Sequence, residues 1–361
     1  MHRGIQQAYE ISLLVQSYHD FAEFPAPPEE KTGWPWTEVS VEHPFDPGVA
    51  LPKITVVTPS YNQGMYIEET IRAILLQRYP NLEYIISEDG STDDSLAIIE
   101  RYAPWLRVLR ADKNSGMSAA INKGFAEATG DIITWISSDD TYQPGAFHEV
   151  ARKWMKLDTE KYGVIVGGFS FMNENSDVEE FLHKPRIPGT GPIDLSLLPL
   201  SNWRLHQVST FYLRTALDNA GRFVREEIRH NMDRELLYRI CKSYKICTTD
   251  MRLAAFRIHR ASKSWNPKTM ISMARDFAAV QNYFRSDVDS ENRIREKIAR
   301  QIIGSGYVKY AKYNTSFWKS VVALLTALWY HPKFLFKKNY LKNFITVAIM
   351  RPFKWEKINS Q

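Results

Sequence analysis

Two adjacent carboxylates close a short apolar run: Asp131 to Ile136 is followed by Ser137-Ser138-Asp139-Asp140. Neighbouring carboxylates repel unless a cation or hydrogen-bond donors offset them. Hard divalent cations prefer oxygen ligands and commonly bridge carboxylates to phosphates. The plainer alternative is a solvated turn that caps the helix beyond Pro144. A second acidic turn, Glu88-Asp89-Gly90-Ser91-Thr92-Asp93, is ambiguous in the same way. Asp93 reads most simply as a helix cap, while Glu88 or Asp89 can accept from a nucleobase N–H or a ribose hydroxyl. A third polar turn, Pro59-Ser60-Tyr61-Asn62, carries no basic residue.

The elements that would position these turns follow from periodicity. Ile54 to Val57 is a β-branched run, and Ile67, Ile71, Ile74 and Leu75 recur at helical spacing. Leu82 to Ser87 reads as a second strand, and Leu96, Ile98 and Ile99 mark a helix. Trp105 to Leu109 is a third strand, Gly116 to Ala128 a helix, and Asp131 to Ile136 a fourth strand. Such alternation predicts a parallel, helix-covered sheet whose ligands bind beyond the carboxyl ends of the strands. All three polar turns fall on that edge. Farther on, the pattern predicts a helix near 144–157, strands near 162–171 and 207–213, a helix near 232–242 and a strand from Met251 to Ile258. From Lys268 the chain reads as helical to its end.

The 361 residues carry 46 Lys+Arg against 41 Asp+Glu, a net charge of +5. Residues 301–361 hold ten basic side chains and one acid, so the tail is +9 and the remainder −4. Attraction to phosphate or membrane is therefore expected from the tail. A composition of 44% hydrophobic and 24% charged residues excludes wholesale disorder. Cys241 and Cys247 alone exclude a disulfide scaffold and a four-thiolate zinc site, and read as reduced thiols. No signal-peptide pattern and no 18-residue apolar run is visible, and Ser320 to Pro332 is too short to span a bilayer. The expectation is a cytoplasmic protein, with peripheral contact at the inner face of the cytoplasmic membrane left open. Three regions are expected: a proline-rich arm over 1–50, anchored by Trp34 and Trp36, a catalytic domain over 51–265, and a helical, basic region over 266–361.

ITVVTPSYNQG, YIISEDGSTDDS, NSGMSAAINKGFAEATGDI and WISSDD, in that order, resemble the family 2 glycosyltransferases of GT-A fold. The resemblance covers roughly residues 50–260, and the upstream Gly33 to Thr37 resembles an arm of a bacterial subgroup. It implies an α/β, Rossmann-like mixed sheet flanked by helices, with a helical C-terminal extension. Nucleotide binding then falls to Pro59, Tyr61, Glu88, Asp89, Asn114 and Asp139. The metal-binding DxD motif falls on Ser137-Ser138-Asp139, a departure in which Ser137 replaces the first acid. Mn2+ or Mg2+ is implied at Asp139 or Asp140, with His259 as a further ligand. LHQVSTFYLRTALDNAGRF resembles the acceptor-side segment, with Gln207, Thr210 and Arg214 at matching positions. Asp233 matches the general base, with Glu235 as competitor, and Arg257, Arg260 and Lys263 lie where diphosphate oxygens are met.

The reaction so implied is inverting transfer of a sugar, from a UDP-sugar by preference, to a hydroxyl of a glycan or lipid-linked acceptor in surface polysaccharide synthesis. No nucleic-acid partner is expected. Residues 316–350 alternate Leu, Val, Phe and Trp with lysine, the pattern of an interfacial basic helix, or equally of a helix packed on the catalytic domain. A nucleotidyltransferase is disfavoured because the PSYNQG loop lacks Arg and Lys. A non-catalytic nucleotide-sugar-binding or scaffold protein is favoured only by Ser137.

Overall fold

The structure, a computed structural model, describes residues 24–40, 45–46, 48–185, 205–259, 267–283, 289–313 and 317–336. The chain divides into two compact units. The first comprises Met1–Ile193, Asn202–Arg225 and Leu236–Arg257; the second comprises Asp194–Ser201, Glu226–Glu235 and Ile258–Gln361.

The first unit is built on β1 (Ile54–Ser60), which is buried along all seven residues. It pairs in parallel with β2 (Leu82–Glu88) on one side and with β4 (Ile132–Trp135) on the other. β3 (Arg107–Arg110) adds to β2, also in parallel. Helices α1 (Ile67–Leu75), α2 (Ser95–Glu100) and α3 (Met117–Glu127) make the crossovers. Gly124 of α3 lies so close to β1 that a Cβ there would sit 2.3 Å from Val57 Cγ1, which fixes how deeply the helix seats on the sheet.

Beyond β4 the sheet is mixed rather than parallel. Its order is β3-β2-β1-β4-β7-β6-β8-β5, with β5 at Thr141–Tyr142, β6 at Tyr162–Met172, β7 at Thr210–Leu213 and β8 at Lys245–Arg257. β7 is antiparallel to both β4 and β6, while β6 and β8 are parallel. The reversal has a local cause. The 3-10 turn Gln207–Ser209 begins at the carboxyl end of β4, where the Gln207 amide donates to the Trp135 carbonyl, so the chain enters the sheet at that edge and must run back. β8 also starts six residues earlier than Met251. Lys245 to Thr248 pair with Tyr162 to Val166 across register shifts, and the polar Thr248-Thr249-Asp250 hides this extension in the sequence. Helices α4 (Ala146–Met155) and α5 (Arg214–Asn219) complete the set near the sheet, and the residues of α6 (Met232–Cys241) are divided between the units, Met232–Glu235 with the second. Cys241 and Cys247 are both free, and burial pushes the Cys241 thiol up to about 12.

The described part of the N-terminal arm is tied down by a residue that periodicity does not flag. Arg72 is fully buried on α1 and donates to the carbonyls of Pro25, Pro35 and Trp36 and to the Tyr102 hydroxyl. Its guanidinium also lies over the Trp36 ring. Proline-rich chain leaves its carbonyls unsatisfied, and a five-donor fork collects several at once. Trp36 is buried, and Trp34 Nε1 donates to the Tyr142 carbonyl, so both tryptophans serve as anchors.

The second unit is helical among its described residues: α7 (Pro267–Asn282), α8 (Asp289–Tyr313) and α9 (Phe317–Tyr330). Ala311, Ala323, Leu324, Ala327 and Phe334 form its buried cluster. No described helix is long and apolar enough to cross a membrane.

Candidate functional site

The strand register brings the three polar turns to one edge. Ser60 is paired with Glu88, and Glu88 with Arg110, so β1, β2 and β3 end level. β4 ends beside Val57, and the Ile136 N–H continues the ladder to the Val57 carbonyl.

Hydrogen bonds lace the first two turns into one body. Asn62, at φ 53°, accepts from Thr92 N–H at 2.8 Å and donates its own N–H to Ser91 Oγ at 3.0 Å. Gln63 N–H donates to Ser95 Oγ, and Gly64 N–H to Asp93 Oδ2. The residue at the start of α2 is therefore not capped as expected. Asp94 occupies the cap position without a side-chain bond, while Asp93 takes the Ser95 N–H at 3.0 Å and holds the neighbouring turn. Burial alone would raise the Asp93 carboxyl, but the bonds from Ser95 and Gly64 outweigh it and hold the group below its ordinary value.

Glu88 and Asp89 are both buried and do different work. Glu88 accepts from Ser91 N–H at 2.6 Å and Gly90 N–H at 3.2 Å, so it ties its own turn. Asp89 reaches across to the segment before α3, accepting from Ser115 N–H, Ser115 Oγ and Gly116 N–H. Ser115 N–H is shared between both oxygens, so Oδ1 and Oδ2 each accept two bonds and the carboxylate is held in one orientation. Glycine is required at the next position, Gly90: its φ is +75°, and a Cβ would lie 2.8 Å from Lys113 Cα. Pro59 is buried within β1, Tyr61 is 40% exposed just past its end, and Asn114 is exposed. Ser60 Oγ is buried with no hydrogen-bond partner among the described residues.

The Asp139-Asp140 turn is held from behind. After β4 the chain crosses in five residues to β5, which pairs with the end of β8, Thr141 opposite Ala255. That crossing brings Asp140 against Arg257. The Arg257 N–H donates to Asp140 Oδ1 at 2.8 Å, and Nε donates to the Asp139 carbonyl at 2.7 Å. Thr70 Oγ1 takes the Asp140 carbonyl at 2.8 Å. The Arg257 guanidinium is fully buried, 2.9 Å from Glu69, with further bonds to the Asn173 carbonyl and Ser176 Oγ. Nε and Nη1 are thus hydrogen-bonded inside the protein and Nη2 meets Glu69 as an ion pair, so the side chain supports the acidic turn rather than facing outward.

Asp140 is 1% exposed, whereas Asp139 is half-buried. Burial first, and the Asp139 charge second, push the Asp140 carboxyl well above the usual range, with Arg257 opposing. Two carboxylates so placed form a hard oxygen set that suits a divalent cation, and such ions are often held by one or two carboxylates plus substrate phosphates. Among the described residues there is no cluster of three or more His, Cys, Asp or Glu that would hold a metal by protein ligands alone. Asp139 is the more accessible of the pair.

The remaining predicted residues separate. Gln207 is fixed on the Trp135 carbonyl, two residues before Ser137. Thr210 is buried and donates to the His206 carbonyl. Arg214 lies at the opposite edge of the sheet, bonded to the Thr129 carbonyl and Asp131 Oδ1 at the start of β4. Arg260 and Lys263 lie outside the described residues. Asp233, Glu235 and His259 belong to the second unit. There Asp233 sits in the first turn of α6, half-buried, and burial raises its carboxyl against the opposing effect of Arg234. Asn231 Nδ2 donates to the Met273 carbonyl, and the Arg234 guanidinium covers the Phe277 ring, so this turn is braced by α7. Glu235 is buried at 1% exposure, as is His259 at 7%.

Glu69, Thr70 and the Ser115-Gly116 backbone are not legible as site supports in the sequence. Charged residues in a helix read as solvent-facing, and only the tertiary contacts reveal otherwise.

Residues 55–219 match the family described as glycosyl transferase family 2. Over those residues the chain is similar to the family 2 glycosyltransferases. A Rickettsia felis glycosyltransferase of uncharacterised function is 26% identical over 210 residues, covering 58% of this chain and 34% of the relative. A Bacillus subtilis protein, TuaG, named as a candidate teichuronic acid biosynthesis glycosyltransferase, is 30% identical over 138 residues, 37% of this chain and 54% of the relative. This chain therefore spans only about a third and about a half of those two relatives. Among solved structures, Staphylococcus aureus TarS in complex with UDP-GlcNAc has a TM-score of 0.52 at 19% identity, covering 82% of this chain and 90% of that one. The Pyrobaculum calidifontis mannosyltransferase PcManGT, with GDP-Man and Mn2+, has a TM-score of 0.51 at 16% identity, covering 84% and 88%. At such identities the likeness is one of fold, and the fold is GT-A. Within the matched residues, the laced turns and the Asp139-Asp140 corner make up the polar edge of the sheet.

Proposed function

We propose that the protein is an inverting glycosyltransferase that moves a sugar from a nucleoside diphosphate, by preference UDP, to a hydroxyl of a glycan or lipid-linked acceptor. The observation that carries this reading is the convergence of the Pro59–Asn62, Glu88–Ser91 and Ser137–Asp140 turns on one sheet edge within the segment that matches family 2. TarS with UDP-GlcNAc and PcManGT with GDP-Man support a nucleotide-sugar donor, and TuaG supports a role in surface polysaccharide synthesis.

In this reading Asp89, with Pro59 and Glu88, forms the base side of the nucleotide site, and Tyr61 and Asn114 border the nucleotide. A Mn2+ or Mg2+ ion at Asp139, with Asp140 behind it, would offset charge growing on the leaving diphosphate. PcManGT with Mn2+ is consistent with that assignment. Arg260 and Lys263 are assigned to diphosphate oxygens, and Gln207 to the acceptor side. Asp233 accepts the acceptor hydroxyl proton, because a raised carboxyl is a stronger base than an ordinary one. Attack by that hydroxyl opposite the leaving group inverts the anomeric carbon without a protein nucleophile.

A thermal-shift screen of UDP-, GDP- and TDP-sugars with Mn2+ tests donor binding, since a ligand bound only by the folded state raises its stability. At least one nucleotide sugar should raise the melting temperature in a metal-dependent way. Ser137, in place of an acid, favours one second reading: a non-catalytic nucleotide-sugar binder. Donor-dependent stabilisation without nucleotide release in the presence of any acceptor would select it.

A further inference from the structure

Helix α9 has two faces of opposite character. Ser320, Ala323, Leu324 and Ala327 are buried in the core of the second unit. On the other side Trp318 is 73% exposed, Val322 60%, Leu325 56% and Trp329 68%. At about 100° per residue these four fall within an arc of about 60°, and at about 1.5 Å per residue they run about 16 Å along the helix. A stripe of large apolar side chains with tryptophan at both ends is not what a water-facing helix presents. Phe336, just beyond the helix, is 86% exposed and extends the apolar surface.

Basic side chains flank the stripe. Lys319 and Lys333 are exposed beside it, and Arg300 lies over the Trp329 ring while donating to its carbonyl. The 61 residues from Gln301 contain ten basic side chains and only Glu356 as an acid. A soluble partner with an apolar groove would satisfy the tryptophans and not the charge. An anionic lipid surface satisfies both, because tryptophan prefers the headgroup boundary and each lysine gains from nearby lipid phosphate.

We propose that the outer face of α9 is a membrane-docking surface, in which Trp318, Val322, Leu325 and Trp329 enter the headgroup boundary of an anionic bilayer and the surrounding lysines pair with lipid phosphates. The helix lies in the plane of the interface; it does not span. The inference stands independently of the sugar-transfer reading, because it uses no residue of the polar sheet edge.

The test is co-sedimentation of the full chain with vesicles of phosphatidylglycerol and phosphatidylcholine, against pure phosphatidylcholine. Binding should require the anionic lipid, weaken with salt and shift tryptophan emission to shorter wavelength. Trp318→Ser/Trp329→Ser should lower the partition coefficient about tenfold or more, as expected for loss of two interfacial rings. Leu325→Glu should act in the same direction, with melting temperature and nucleotide-sugar binding unchanged, since the residue is exposed. Equal sedimentation of variants and wild type would overturn the proposal, as would equal binding to neutral vesicles. A wild-type dimer that the Leu325→Glu change turns into a monomer, with no vesicle binding by either, would reassign the stripe to a second copy of the chain.

Discussion

Arg257 grips Asp140 by its backbone N–H at 2.8 Å while its side chain holds the carbonyl of Asp139 at 2.7 Å. One residue at the end of β8 thus fixes both members of an acidic pair more than a hundred positions away. Glu69 balances its buried charge at 2.9 Å. Removing one partner of a buried ion pair leaves the other uncompensated, which typically costs about 3–5 kcal/mol. Arg257→Met should lower unfolding stability by an amount in that range in urea titrations. Arg257→Lys should recover only part of it, because an ammonium cannot reproduce the planar fork. A loss below about 1 kcal/mol for Arg257→Met would remove the clamp from the account.

Asp139 is expected to act on the cation without being needed for folding, since it is half-buried. Asp139→Asn should leave the melting temperature within a few degrees of wild type. It should also abolish the extra stabilisation that Mn2+ gives in the presence of nucleotide. EDTA should stop transfer by the wild type and have nothing left to remove from the variant. Full turnover in metal-free buffer would mean that the acidic pair is structural.

Burial, opposed by Arg234, raises the Asp233 carboxyl, and a general base must be ionised to accept a proton. Turnover should therefore fall as pH drops through a value above the usual carboxylate range. Asp233→Asn should lower kcat by about 10²–10⁴-fold while leaving nucleotide-sugar binding intact. Glu235→Gln, which changes a residue buried at 1% exposure, should reduce stability rather than produce this pattern. The reverse outcome would exchange the two roles.

The bond from Gly64 and those from Ser95 hold Asp93 below its ordinary value despite the opposing effect of burial. A carboxyl lowered in the folded state stabilises above the unfolded value, near pH 3.9, and that contribution is lost as pH falls through the folded value. The group is exposed, so solvent screens the effect, and Asp93→Ala should cost only about 1 kcal/mol. The difference between wild type and variant, read from urea titrations at several pH values, should be constant near neutrality and shrink below about pH 4. A difference that grows on acidification would have the wrong sign.

The sequence by itself determined the first half of the sheet, because four short apolar runs alternating with helical spacing leave few other topologies. It also determined that the polar turns share an edge, since in a parallel sheet every strand ends on the same side. The motif order further identified the family 2 segment, which the match over residues 55–219 bears out. It did not determine the antiparallel β7, because strand direction depends on where the chain re-enters the sheet, and Gln207 sets that through a contact with Trp135. Nor did it separate the roles of neighbouring acids. Glu88 and Asp89 look alike in one dimension, yet one closes its own turn and the other binds the Ser115-Gly116 backbone. Asp139 and Asp140 look alike too, until β8 arrives behind the second and leaves the first more open. Glu69 and Arg72 read as ordinary surface charges and Arg257 as a diphosphate contact, yet all three are buried, since long-range pairing has no signature in local spacing. The +9 tail was legible as charge, but only the packing of α9 decided which of its apolar residues are spent on the core and which are left outside.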